Sequence, residues 1–496
     1  MQAVRAACPH RARPLMLRFF LEWLPTVSQH LLFGALSVLV YILTTRARRD
    51  TRSPSTAIAW VLGLALLPYF VLPMYLLFGR RKLRPAALPR LRPPPTTLHW
   101  AAELIESFGL AAASHCQARM HADGAEARQA LWEVIDSASE RLDVCTFIIG
   151  DDALGRAAVE RLAARARAGV RVRVLLDGFG AVTLPRRYFD TLRAAGGEVT
   201  VFRPFFGLDS GLGPRNLRNH RKCVIADDAV LWSGGRNLAA EYFTGDPDGH
   251  GAAAGAPWDD LSFDLAGPVA AAAAHQFEQD WASVQRKRLR VVHPQPATAA
   301  DFEAPEDPAP PGGPGSHARA IAQFLPSGPD QTEDTAHALL LAACVRARRR
   351  LLAVTPYFVP DDALRDALRL AARRGVEITI AIPARSNHRL TDFVRTRAMR
   401  DLARAGVVFR MLPRMAHAKA VVVDDTLAMC GSINLDLRSL LINHEAAVVF
   451  YSPRQIAWTA HWIGALAETG TLFRPRPPSL ARDIAEGLLL TVAFQL

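Results

Sequence analysis

The feature that most restricts the folds open to this chain is a phrase written twice. NHRKCVIADDAVLWSGGRN fills residues 219–237, and MAHAKAVVVDDTLAMCGSIN fills residues 415–434. His220 and His417 stand 197 positions apart, and so do Lys222 and Lys419, Asp227 and Asp424, and Asn237 and Asn434. Offsets that coincide across two strands and a turn mark a duplicated unit. At 496 residues the chain can bury two such units in one body.

The flanking sequence repeats in the same order. RLDVCTFII (141–149) reads as a buried strand, DDALGRAAVERLAARARAG as an amphipathic helix, and VRVRVLLDGFG as the next strand. RRLLAVTPYFV (349–359), PDDALRDALRLAARRG (360–375) and VEITIAIPA repeat that succession. Strand-helix-strand units of this length predict an α/β fold of two pseudo-symmetric halves, each a mixed β-sheet flanked by helices. The halves are expected over 100–290 and 319–496. Between them, residues 291–318 are rich in Pro, Ala and Gly without apolar periodicity and read as a linker.

Within each phrase, alternation along a strand puts His and Lys on one face, while VI or VVV anchors the strand in the core. ADD and VDD supply turn residues, and AVLWSGG and TLAMCGS form the returning strand, which carries Asn237 and Asn434 back toward the His-Lys faces. If the halves pack about a pseudo-twofold axis, two His, two Lys and two Asn meet in one cleft. Such a cleft suits a phosphodiester. Lysines and amides stabilise the charge on its oxygens without a metal, one imidazole attacks phosphorus, and the other protonates the departing alkoxide. Each imidazole then needs a carboxylate behind it. Glu445, 28 residues after His417, and Asp260 in the first half are the expected partners, with Asp259 and Asp264 as alternatives to Asp260. Asp227 and Asp424 belong to the same catalytic phrase, although their place at strand ends also suits turn formation.

No metal or cofactor is expected, since HxH, HExxH, GxxxxGK[ST] and GxSxG are all absent. The six cysteines are scattered without CxxC spacing, as in a reducing compartment. The formal charge of +12 would suggest nucleic acid, but residues 1–100 hold 14 Lys and Arg against two acids, and the remainder holds 45 of each. The body therefore has no net charge, and nucleic acid is not an expected partner.

Residues 1–95 read as a membrane anchor, a transmembrane helical hairpin whose spans, about 24–45 and 57–79, contain no charged residue. The first run is long and no small-residue cleavage site follows it, unlike a signal peptide. Pro68 and Pro73 should kink the second. Ten basic residues flank the hairpin outside against four between the spans, which predicts a body on the cytoplasmic side of the membrane. Phe205 and Phe206, beside Arg215 and Arg218, are candidates for dipping into lipid.

The pattern HxK(x)4D(x)6GSxN, complete at 417–434 and with Gly235 in place of Ser at 220–237, resembles the motif of the phospholipase D superfamily. LLDGFG, FLPSGPD, TPYFVPDDALRDALRLAARRGVEI, GGRN and GSINLDLRSLLINHE further resemble bacterial cardiolipin synthases over most of the chain outside the linker. The resemblance implies paired nucleophile and acid/base histidines at His220 and His417, with the nucleophile at His220. It implies phosphate binding by Lys222 and Lys419, polar support from Asn237, Ser432 and Asn434, and Glu445 as the carboxylate behind His417. It also implies a reaction in the bacterial inner membrane in which one phosphatidylglycerol gives its phosphatidyl group to another, releasing glycerol. Two other readings stay open: a phosphatidyltransferase or phospholipase with another acceptor, and a catalytically inactive membrane-tethered scaffold or nucleic-acid-binding protein. The oligomeric state is not legible in the sequence.

Overall fold

The computed structural model describes residues 26–48, 54–79, 81–82, 99–204, 216–245, 256–285 and 318–490. The linker up to residue 317, and Phe205, Phe206 and Arg215, lie outside them. The chain divides into two units, residues 1–80 and 81–496.

In the first unit, helix Val27–Arg48 includes a stretch, Val27–Arg46, long and apolar enough to cross a bilayer. The second apolar segment is broken where a kinked helix was expected. Pro54–Leu66 and Pro68–Phe78 are separate helices meeting at Leu67, which has φ −132° and ψ 52°. Pro68 disfavours helical geometry at the residue before it and offers no N–H to continue the ladder. Tyr75 ties the unit together through its hydroxyl, 2.6 Å from Thr44 Oγ1.

Among the described residues, the second unit is built on one 15-stranded sheet. Its first half contributes β1 (Ser114–His121), β2 (Arg141–Thr146), β3 (Arg171–Asp177), β4 (Glu198–Phe202), β5 (Cys223–Ala226), β6 (Val230–Gly234) and β7 (Ser262–Ala266). The second contributes β8 (Ala318–Ser327), β9 (Arg350–Val354), β11 (Glu377–Pro383), β12 (Val408–Leu412), β13 (Ala420–Val423), β14 (Leu427–Gly431), β16 (Glu445–Phe450) and β17 (Thr471–Leu472), while β10 (Phe358–Val359) and β15 (Leu435–Asp436) form a separate parallel pair. Outward from the antiparallel β1–β8 seam the order is β7, β6, β5, β2, β3, β4 on one side and β16, β14, β13, β9, β11, β12, β17 on the other. These are equivalent strands in mirrored sequence, so the duplication is a pseudo-twofold axis through the seam.

Alternate residues of each strand feed opposite cores. Helices Pro268–Val284 and Pro453–Glu468 cover one face across both halves, burying Phe263, Phe324 and Phe450. The other face is covered half by half, around Trp232 in the first and Phe409 in the second. Phe263 and Phe450 meet edge to face across the seam, 5.4 Å between centroids.

Candidate active site

His220, Lys222, His417 and Lys419 lie on the extended residues that lead into β5 and β13, just before the paired strand begins. Each lead-in is clipped to the opposite half of the molecule. His220 N–H donates to His444 O (2.8 Å) and His444 N–H to Arg218 O (2.8 Å); His417 N–H donates to Asp259 O (2.7 Å) and Asp259 N–H to Met415 O (2.9 Å). These bridges set the residue after His444 and the residue after Asp259 directly behind the two imidazoles.

The carboxylates are therefore crossed. His220 Nδ1 lies 2.9 Å from Glu445 Oε2, and His417 Nδ1 lies 2.8 Å from Asp260 Oδ2. The expectation that Glu445 stands behind His417, its neighbour in sequence, is corrected: Glu445 serves His220, and Asp260 serves His417. The alternatives to Asp260 have other partners, Arg414 for Asp259 and Arg119 with His121 for Asp264. Because a carboxylate only accepts, Nδ1 of each ring carries the proton and Nε2 keeps its lone pair.

Burial sets the charge states. It pushes His220 down to about 4 against the pull of Glu445, with Lys222 adding to the fall. It pushes His417 down to about 3, with Lys419 adding and Asp260 opposing. Lys222 falls to about 8 by burial, resisted by Glu445 and Asp260, and burial likewise takes Lys419 well below its usual range. Burial alone would raise Glu445 and Asp260, yet the facing histidines and the lysines hold both below the usual carboxylate range. At neutral pH the site thus has two neutral imidazoles over two ionised carboxylates.

The remaining polar groups line the same place. Lys222 Nζ donates to His220 O (2.8 Å), and Lys419 Nζ lies 2.8 Å from both ring nitrogens of His417. Asn237 Oδ1 and Asn434 Oδ1 are buried with no hydrogen-bond partner, which leaves acceptor capacity for a ligand hydroxyl, while the amide Nδ2 groups are the donors a phosphate oxygen needs. Ser432 Oγ donates to Glu445 Oε2 (2.5 Å). At the equivalent Gly235 an added Cβ would lie 2.1 Å from Asp260 Oδ1, so the shorter Asp260 fills the space that Ser432 takes in the other half.

The two motif aspartates sit elsewhere. Asp227 and Asp424 are at the far ends of β5 and β13, about 16 Å from the lysines at ~3.3 Å per residue. Both adopt left-handed backbone conformations, φ 52° and 50°. Asp227 accepts from the N–H groups of Ser139, Glu140 and Arg141, and Asp424 from those of Arg348, Arg349 and Arg350. They fasten the hairpins to the preceding helix-strand connections and do not reach the cleft.

Two aromatic residues outside the repeated phrase pack on the histidines. Phe147 meets the His220 ring edge-on at 4.9 Å, and Tyr242 meets His417 at 4.8 Å. Arg221 is buried behind the site, where Nε donates to Glu445 O (2.9 Å) and the two Nη atoms bond Asp280 and Asp330. Its second-half equivalent is Ala418, and that one difference between HRK and HAK was the available clue. Among the described residues, Asp280, Asp330 and His444 form a cluster of metal-type donors, but the Arg221 guanidinium already binds both carboxylates.

Comparison with known proteins agrees with this architecture. Residues 131–256 and 340–466 match the family described as cardiolipin synthase, PLD-like domain, and residues 35–80 match the phospholipase D-nuclease N-terminal family. Cardiolipin synthase A of Pseudomonas putida (strain W619) is 33% identical over 441 residues, covering 84% of this chain and 87% of that protein. Cardiolipin synthase A of Pseudomonas aeruginosa (strain LESB58) is 32% identical over 444 residues, covering 84% and 86%. The crystal structure of phosphatidylserine synthase from Haemophilus influenzae Rd KW20 shares the fold, with a TM-score of 0.54 at 15% identity over 77% of this chain and 95% of that one.

Proposed function

The chain belongs to the cardiolipin synthase family of PLD-like phosphatidyltransferases, and from that premise we propose how its cleft joins two phosphatidylglycerol molecules through a phosphohistidine. The observation that carries this reading is the pair of crossed His-carboxylate contacts, which gives each imidazole a fixed tautomer with Nε2 as its nucleophilic or basic atom.

The donor phosphodiester binds between the halves, its oxygens held by Lys222 and Lys419 with the amides of Asn237 and Asn434. Its negative charge offsets the lysines that help depress the histidines, so one imidazole takes up a proton only when substrate is present. The nucleophile is His220, whose side chain is the more accessible, 10% against 4% for His417. Its Nε2 lone pair forms the bond to phosphorus as the P–O bond to glycerol breaks, and the leaving oxygen takes the proton of His417. In the second half-reaction the glycerol hydroxyl of another phosphatidylglycerol returns a proton to His417 as its oxygen attacks phosphorus and the P–N bond breaks. Glu445 and Asp260 orient and stabilise the rings without reacting, and no step calls on a metal.

On this reading the apolar N-terminal segments anchor the enzyme in the bacterial inner membrane, and the excess of basic flanks favours a body on the cytoplasmic side. Purified full-length protein incubated with phosphatidylglycerol vesicles and a chelator is expected to release glycerol and form cardiolipin. Mass spectrometry of acid-sparing digests is expected to find a phosphatidyl group on His220, none in His220→Ala, and less of it in His417→Ala, which lacks the acid that protonates the leaving glycerol. Phosphatidic acid as sole product would replace the synthase by a hydrolase, and a phosphatidyl group on His417 would exchange the two roles.

A further inference from the structure

A helix on the surface of a soluble body turns its charges to water and its leucines inward. Helix Leu480–Leu490 does the reverse. Leu480, Ile484 and Leu488 are 78%, 54% and 66% exposed, and their spacing of four puts them on one stripe. The charged side is held against the body: Glu486 is fully buried and paired with Arg400 and Arg482, and Asp483 lies 3.6 Å from Arg397. Leu489 and Leu490 pack on Val359, Phe393 and Val394. The outward stripe is thus fixed by ion pairs and packing on the opposite side.

We propose that this helix is an interfacial membrane element, lying with its stripe at the boundary between headgroups and acyl chains of an anionic bilayer. The same chain carries an apolar helix, Val27–Arg46, long enough to cross a bilayer, so its body works beside lipid. Exposed Arg474 and Arg476, in the segment that leads into the helix, complement anionic headgroups. A second copy of the chain is the poorer occupant. Three side chains of this size expose a few hundred Å², well short of the ~800 Å² per partner of a stable interface. The helix also stands close to the cleft wall: Val359, on which it packs, belongs to β10, and β10 pairs with β15, the strand that starts directly after Asn434. Seating the stripe in lipid therefore sets the cleft at a defined height over the membrane. The inference rests on the phosphatidyl-transfer reading only in taking the substrates to lie in that membrane.

The test uses full-length protein in phosphatidylglycerol and phosphatidylethanolamine vesicles, with an environment-sensitive fluorophore on Ile484→Cys in a Cys8→Ser background; the other cysteines are buried. Lipids with nitroxides on their acyl chains are expected to quench the label at least twofold and aqueous iodide hardly at all, with the opposite result for a label on exposed Asp362→Cys. Iodide quenching equal at both positions overturns the proposal, as does energy transfer between labelled copies at the stripe. In the second arm, the Leu480→Glu, Ile484→Glu double variant is expected to raise the apparent KM for vesicle phosphatidylglycerol about tenfold at unchanged kcat, and to leave the rate on monomeric short-chain phosphatidylglycerol intact. An equal fall on both substrates also overturns it. Wild-type protein that forms no cardiolipin would instead sink the transfer reading, with the quenching result still readable.

Discussion

Gly235 shows how one atom separates the two halves of the cleft. The phrase GSxN has its serine at Ser432, where the hydroxyl braces Glu445; at Gly235 the equivalent volume holds the Asp260 carboxylate. Gly235→Ser is therefore expected to displace Asp260, free the His417 ring and lower kcat about 10²-fold, the usual effect of a misplaced catalytic group. Ser432→Gly removes one brace and opens no clash, so steady-state rates should show a smaller loss. Asp227 marks the opposite case. Asp227→Ala strips acceptors from three backbone N–H groups, and calorimetry is expected to find about 1–3 kcal/mol less stability with kcat within twofold of wild type. The sequence showed both residues plainly. Gly235 read as a lost hydroxyl because only coordinates reveal the carboxylate lying there, and Asp227 read as part of a catalytic phrase because the motif records co-occurrence rather than place.

At the scale of elements, the hairpins β5–β6 and β13–β14 were legible from alternation and turn residues, and so was the strand-helix order around them. The crossing was not. A carboxylate following a histidine in sequence was assigned to that histidine, whereas β7 and β16 leave their own half at the cleft and meet the other half's lead-in through the bridges at Asn219–His444 and Asp259–Ala416. Only packing about the axis decides this, and no local periodicity encodes it. The exchange makes a sharp prediction. Glu445→Gln should suppress phosphohistidine formation at His220, 225 residues away in sequence, whatever the leaving group, while Asp260→Asn disables His417 and should slow both half-reactions, sparing the first only for a nitrophenol leaving group that needs no proton. Rapid-quench measurement of the burst and of cardiolipin release separates the two. The helix break at Leu67 was half legible: Pro68 announced a distortion, and the separation into two helices follows from the conformation its predecessor adopts.

For the whole molecule, the 15-stranded sheet puts the most deeply buried charges at the junction of its halves, so stability should follow the titration of the site. His220 and His417 bind protons at about 4 and 3 in the folded state but near the ordinary 6.5 once unfolded. The unfolded chain then holds more protons over that interval, and stability is lost as pH falls from about 6.5 toward 4. Lys222, at about 8, has the same sign in another window: stability grows as pH rises from about 8 toward 10.5. Thermal denaturation across pH should show both slopes, with the acid one shallower in His220→Gln. The crossed carboxylates have a last consequence, for biosynthesis. A ribosome that has released the first histidine must still translate more than two hundred codons before Glu445 emerges to orient it, so a nascent or truncated chain already threaded into the bilayer cannot cleave the lipids around it.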